Sequence, residues 1–257
     1  MDNFSESIKR AAEDREQMLK KSRIAPTSVV RAKDGSGIDA RVVTYHSPKS
    51  NIAENYRGIF THLKNASEKL NAKVIAIVSS SLNEGKSITA VNLSVIMAAD
   101  FGKKVLLLDC NLRSPRIDEL LNINAQGGLS EILSDNLTSK AAVKPTGINN
   151  LFVITAGKEA GSPVELLHSQ KLPRLLKELR AEYDYIIIDT AAVIPYSDFK
   201  VMAPWIDAAA LVVRVHKTSR EVITRAEAML KELRINVLGF MLTDVEYYIP
   251  DFIYRHL

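Results

Sequence analysis

Cys110 is the only cysteine in 257 residues, so no internal disulfide can form, and the chain suits a reducing compartment. No apolar run exceeds strand length, so no segment is expected to span a bilayer. The opening residues, Met1 to Ser7, lack the pattern of a secretory leader, which leads to the expectation of a cytoplasmic protein. Aromatic residues are only 6% of the chain and are not interleaved with basic clusters, which argues against nucleic acid as a partner. No internal repeat is visible. What remains is an ordinary globular composition, long enough for one α/β domain with a sizeable core plus tails. The net charge of +4 is concentrated in residues 1–33, which hold eight Lys/Arg against five Asp/Glu. Such an arm suits simple solvation or an anionic membrane surface.

The chain is organised around residues 74–98. Val74 to Val78 is an apolar run of the kind that forms a strand buried on both faces. A polar stretch then reaches Glu84, Gly85, Lys86 and Ser87, and Ala90 to Ala98 reads as a helix. Strand, loop, Gly-Lys-Ser and helix form the context of a phosphate-binding loop. Backbone N–H groups at the helix start face phosphate oxygens. Gly85 permits close approach, Lys86 places a point charge on the outer phosphates, and Ser87 offers a hydroxyl to Mg²⁺. Asn83, Glu84 and Ile88 complete the expected nucleotide-binding stretch. The full pattern asks for glycine at position 80, where this chain has Ser80.

Two further apolar runs end in carboxylates. Lys104 to Leu108 leads into Asp109, with Arg113 four residues on, and Tyr183 to Ile188 leads into Asp189. A carboxylate at the C-terminal end of a parallel strand beside such a loop is where Mg²⁺ and its waters are held. The candidate metal set is therefore Ser87, Asp109 and Asp189, and the candidate catalytic set is Lys86, Asp109, Asp189 and Arg113. Each aspartate alone would read as a turn or cap. Three such strand ends in one chain point to a nucleotide site.

From Ile52 to Leu63, through these motifs, Gly127 to Leu133, Leu151 to Gly157 and Ser162 to Leu167, and on to the end of the last apolar run, the chain resembles the cytoplasmic kinase domain of bacterial tyrosine autokinases of capsule and exopolysaccharide assembly. The resemblance spans roughly residues 42–245. It implies ATP and Mg²⁺ as ligands and a membrane polysaccharide co-polymerase, or chain-length determinant, as activator. It also implies a location at the inner face of the membrane through that partner. Lys86 and the loop N–H groups would stabilise the transferred phosphoryl group. Asp189 would hold metal-bound water, Asp109 would orient or deprotonate the attacking tyrosine, and Thr243 would lie near the adenine. A C-terminal tyrosine cluster, here Tyr247, Tyr248 and Tyr254, would be the substrate of a neighbouring subunit; packing of these aromatics on the sheet edge is the competing expectation. The family's Glu-x-x-Arg-x-x-Arg helix, used for ring assembly, reads Glu54, Arg57 and Phe60 here. Its Asp-x-Asp reads Asp109 and Asn111, its Pro-Gly before the loop reads Leu82-Asn83, and its Asn at the last strand end is Thr243. These departures keep a second reading open: a nucleotide-responsive adaptor of the export machinery without kinase activity. A ParA/MinD-like ATPase switch would carry an extra lysine early in the loop, and residues 79–84 hold none.

The expected architecture is α/β, P-loop NTPase-like, a mostly parallel sheet with helices on both faces. It divides into an arm and linker over residues 1–50, a nucleotide-binding domain over 51–245 and a tail over 246–257. Within the arm, Phe4, Ile8, Ala11 or Ala12, Met18 and Leu19 recur at helical spacing, so residues 4–21 read as an amphipathic helix or an arm that orders on a partner. A short strand is expected at Arg41 to Tyr45, a helix at Ala53 to Leu70, and one long helix from Val164 to Glu182. Strands are expected at Leu151 to Thr155, Ala208 to Val215 and Val237 to Thr243, with a helix from Ser219 to Arg234 between the last two.

Overall fold

The computed structural model describes residues 35–158 and 161–245. The expected helix at 4–21 and the tyrosines Tyr247, Tyr248 and Tyr254 lie outside the described residues.

Among the described residues, seven strands form one sheet in the order β3-β4-β2-β5-β1-β6-β7. They are β1 (Val74–Ser79), β2 (Val105–Asp109), β3 (Lys144–Pro145), β4 (Leu151–Ile154), β5 (Tyr185–Asp189), β6 (Ala208–Arg214) and β7 (Asn236–Thr243). All neighbours pair in parallel except the two-residue β3, which runs antiparallel to β4. The continuous apolar runs become the central strands because helices cover both faces. Every residue of β1, β2 and β5 is buried. Alternate residues serve opposite layers: Ile75, Ile77, Leu107 and Ile187 join one core cluster, and Val74, Ala76, Val78, Leu106 and Ile188 join the other.

The first layer contains α1 (Val43–His46), α2 (Asn51–Leu70), α3 (Lys86–Ala99) and α4 (Ile117–Leu121). Ser50 caps α2, its hydroxyl accepting from the Ala53 N–H at 3.2 Å, and Asn71 ends that helix in the left-handed conformation. The second layer contains α5 (Leu129–Leu133), α6 (Ser139–Ala142), α7 (Pro163–His168), α8 (Lys171–Glu182), α9 (Asp198–Met202) and α10 (Arg220–Glu232).

Two expectations are corrected. The β-branched run Val42 to Thr44 suggests a strand, but Val43–His46 is a helical turn. Both the N–H and the hydroxyl of Thr44 bond to Asn92 Oδ1, at 3.0 and 2.9 Å, which anchors that turn on α3. The long helix expected from Val164 to Glu182 is two helices, with Ser169 extended between them. Pro173 explains the break. In a continuous helix it would lack the N–H that bonds the Ser169 carbonyl and would clash with it, whereas in the first turn of α8 it is tolerated. Leu167, Leu172, Leu175, Leu176 and Leu179 are all buried, as the periodicity of leucine predicts. The strands β4, β6 and β7 and the helices α2 and α10 fall within two residues of their expected bounds. The sequence reading did not anticipate β3 or α9.

Candidate nucleotide and metal site

The C-terminal ends of β1, β2 and β5 converge on one edge of the sheet, so topology alone brings residues 79–89, 109 and 189 together. The loop after β1 turns through two left-handed residues, Asn83 at φ 59° and Gly85 at φ 92°. Asparagine is one of the few L-residues that tolerates this conformation, which explains how Asn83 can stand where the resembling kinases have glycine. A Cβ on Gly85 would approach the Thr243 Cγ2 to 3.3 Å in an already strained backbone region, so glycine is required there.

The loop is held from the β6 and β7 side. The Thr243 hydroxyl donates to the Glu84 carbonyl at 2.9 Å, and Arg214 Nη1 donates to the Asn83 carbonyl at 3.3 Å while pairing with Asp244. Glu84 is 1% exposed, and its carboxylate accepts from the Ser81 N–H at 2.9 Å and from the Thr218 hydroxyl. Lys86 begins α3 and is buried. Burial lowers its pKa, opposed by the charges of Asp189 and Glu84.

Asp109 and Asp189 are register partners on adjacent strands, and both are fully buried. The Ser87 hydroxyl donates to Asp189 Oδ2 at 2.5 Å, while Asp189 Oδ1 has no hydrogen-bond partner among the described residues. Burial pushes the Asp189 carboxyl up to about 6, against the pull of the Ser87 hydrogen bond and the Lys86 charge. Asp109 lies well above the usual carboxylate range, raised by burial and then by the Asp189 charge, although it accepts from the Asn111 N–H at 3.0 Å and the Ile117 N–H at 3.4 Å. Two buried carboxylates thus lie side by side, and one has an oxygen without a hydrogen-bond partner among the described residues. No cluster of three or more His, Cys, Asp or Glu occurs among the described residues. Mg²⁺ keeps waters and phosphate oxygens in its shell and so needs few protein ligands. The donor set present, Ser87 with Asp189 and Asp109, fits that ion.

Arg113 is engaged with the fully buried Asp198 through two bonds of 2.7 and 2.8 Å and lies over the Tyr196 ring at 4.5 Å. It therefore ties the loop after β2 to α9, next to the carboxylates. Asn111 uses its amide N–H to close the turn onto the Ser114 carbonyl at 2.9 Å, a donor role that a carboxylate could not fill. Ile88 is partly buried in the first turn of α3. Cys110 is buried and its thiol is pushed well up by burial, which makes it a small hydrophobe and not a nucleophile. The sequence reading missed Thr218, Arg214 and Asp198. Each reaches this site through a partner 85 to 134 positions away, so no local signal exists for that role.

Residues 72–215 match the family described as an AAA domain. The chain is 33% identical over 210 residues to the tyrosine-protein kinase YwqD of Bacillus subtilis (strain 168), covering 82% of this chain and 88% of that protein. It is 30% identical over 209 residues to the succinoglycan biosynthesis transport protein ExoP of Rhizobium meliloti (strain 1021), covering 79% of this chain and 26% of that one. Among solved structures, the chimerical protein CapA2B2 superposes with a TM-score of 0.77 at 27% identity, covering 81% of this chain and 91% of that chain.

The chain belongs to the bacterial tyrosine-protein kinase family. The family's Glu-x-x-Arg-x-x-Arg pattern falls on α2. Arg57 binds Glu54 at 2.8 Å, Asp100 at 2.6 Å and the Pro48 carbonyl at 2.7 Å, all within the chain. Phe60, at the position of the tyrosine kinases' second arginine, is fully buried and meets Phe101 and Tyr185 edge-on at 4.7 and 5.9 Å. The described residues include no helix long and apolar enough to cross a membrane.

Proposed function

We propose that this protein is an ATP- and Mg²⁺-dependent tyrosine autokinase that regulates polymerisation and export of a capsular or extracellular polysaccharide. The observation that carries the reading is the orphan oxygen of Asp189, buried beside the Ser87 hydroxyl and the Asp109 carboxylate at the foot of the phosphate loop. Membership in the tyrosine kinase family and similarity to a succinoglycan transport protein support the substrate class and the polysaccharide setting.

On this reading the N–H groups of residues 83–88 and the Lys86 ammonium receive the phosphates of ATP. Asn83, Glu84, Gly85, Ile88 and Thr243 shape that cradle. Bound Mg²⁺ would neutralise charge on the phosphate oxygens. Ser87 and Asp189 would hold it, and Asp109 would lie beside it. The attacking group is a tyrosine hydroxyl, with Tyr247, Tyr248 and Tyr254 as candidates. Asp109 accepts its proton as the tyrosine oxygen bonds the γ-phosphorus and ADP leaves, and general-base help of this kind contributes roughly 10²–10⁴-fold. Arg113 acts through its bridge to Asp198, keeping the loop after β2 in place. A membrane polysaccharide co-polymerase is the proposed activator, and the protein would work at the inner face of the membrane through it. The family's subunit contacts through the Glu54 and Arg57 face would here have to compete with the pairing of Arg57 to Glu54 and Asp100 within the chain.

Asn111 favours one other reading. With its amide tied to Ser114, one carboxylate of the family's pair is absent, as expected for a nucleotide-binding adaptor that transfers no phosphate. Mass spectrometry separates the two. The protein is incubated with Mg-ATP and the cytoplasmic segment of its co-polymerase. The kinase reading expects phosphotyrosine in wild type and none in Lys86→Ala or Asp109→Asn. Unmodified wild-type protein, still binding ATP, would establish the adaptor.

A further inference from the structure

Glu84 is placed where it could do harm. Its carboxylate is 1% exposed and lies in the same loop as Lys86, close enough for its charge to act on the ammonium. A buried carboxylate beside a buried ammonium tends to pair with it, and a lysine so paired is withdrawn from any ligand anion. In this fold both carboxylate oxygens are engaged elsewhere. Oε2 accepts the Ser81 N–H at 2.9 Å, a bond within the loop itself. Oε1 accepts the hydroxyl of Thr218, which arrives from the β6–α10 connection 134 positions away. The carbonyls of Asn83 and Glu84 are held from the same side by Arg214 and Thr243, so the loop backbone is fixed independently, and Thr218 is the side chain from outside the loop that holds the carboxylate.

We propose that Thr218 is a positioning residue of the phosphate site: its hydroxyl holds the Glu84 carboxylate off Lys86 and so leaves the ammonium free to receive ligand phosphates. This rests on the nucleotide reading of the loop given above and goes beyond it, since Thr218 touches no phosphate itself. The effect is on the phosphate end of the ligand. A base-free tripolyphosphate should therefore feel it as strongly as ATP does.

The test is calorimetric titration of the full chain with Mg-ATP and with Mg-tripolyphosphate. Thr218→Val keeps the shape and removes the donor. It should weaken both ligands by the same factor, about tenfold, in line with loss of a hydrogen bond to a charged group. Thr218→Ser should stay within about twofold of wild type, because the donor is retained. In a Glu84→Gln background the valine should add no more than about twofold, because the amide is not drawn to Lys86. Equal affinities of wild type and Thr218→Val would overturn the proposal. So would a loss confined to Mg-ATP, failure of serine to restore binding, or a valine effect undiminished by Glu84→Gln. Wild-type protein that binds neither ligand would overturn this inference together with the nucleotide reading, whereas binding that is merely indifferent to residue 218 would leave that reading intact.

Discussion

Asp189→Asn should make the ligand-free protein more stable at neutral pH. In the fold the Asp189 carboxyl is pushed from 3.8 up to about 6 by burial. A raised carboxyl binds more protons folded than unfolded between those values, so its contribution falls as pH rises through that window and is lowest above it. Two pKa units correspond to roughly 3 kcal/mol of destabilisation at pH 7.5. By the same linkage about half of that remains at pH 5. Asparagine removes the charge at similar volume and can still accept from Ser87, but it places an amide N–H₂ where Oδ1 has no partner, which costs about 1 kcal/mol. The net expectation is a gain of about 2 kcal/mol at pH 7.5, or a rise of roughly 4–8 °C in Tm for a domain of this size. Calorimetry at pH 7.5 and pH 5 reads it directly. The gap between variant and wild type should shrink at pH 5, and Mg-ATP should close it from the wild-type side. A variant that melts below wild type at pH 7.5, or a gap indifferent to pH, would refute the account of Asp189 as a strained cation ligand.

Two other substitutions follow from the geometry. Arg113→Ala leaves the fully buried Asp198 without its cation and should cost about 2–3 kcal/mol in urea unfolding, less than for a wholly buried pair because the arginine is partly exposed. A cost under about 0.5 kcal/mol would make it an ordinary surface pair. Phe60→Arg, which restores the family's arginine, should destabilise by more than about 4 kcal/mol, since it removes a buried aromatic and inserts a charge among Phe101 and Tyr185. Wild-type stability of this variant, with ring assembly by light scattering, would show that α2 can turn its face outward.

The central sheet was legible because β1, β2 and β5 are apolar on both faces, and a strand with no polar side has only one place to go. The convergence of Lys86, Asp109 and Asp189 was legible to the same extent, because each follows such a strand and parallel order brings their ends together. The break before α8 was also written in the chain, at Pro173, but the leucine spacing on either side of it mimics one continuous helix. The turn at Val43–His46 was not legible, since β-branched residues favour strands and only the distant Asn92 decides otherwise. Nor were Thr218, Arg214 and Asp198, whose meaning lies wholly in partners supplied by the fold. Asn83 and Asn111, read in the sequence as departures, have local uses: one adopts a left-handed turn and the other closes a loop.

The sheet order also sets the sequence of events during synthesis. Strand β1 pairs only with β5 and β6, which are encoded more than a hundred residues later. Its next strand along the chain, β2, is not its neighbour, because β5 lies between them. A nascent chain ending before Tyr185 thus offers β1 no edge to join and leaves its apolar residues without a sheet. Closing such long loops is slow. The clasp on the loop, through Thr218 and Thr243, forms later still. A growing chain that has displayed Gly85, Lys86 and Ser87 for over a hundred residues therefore still lacks the contacts that hold this loop in place.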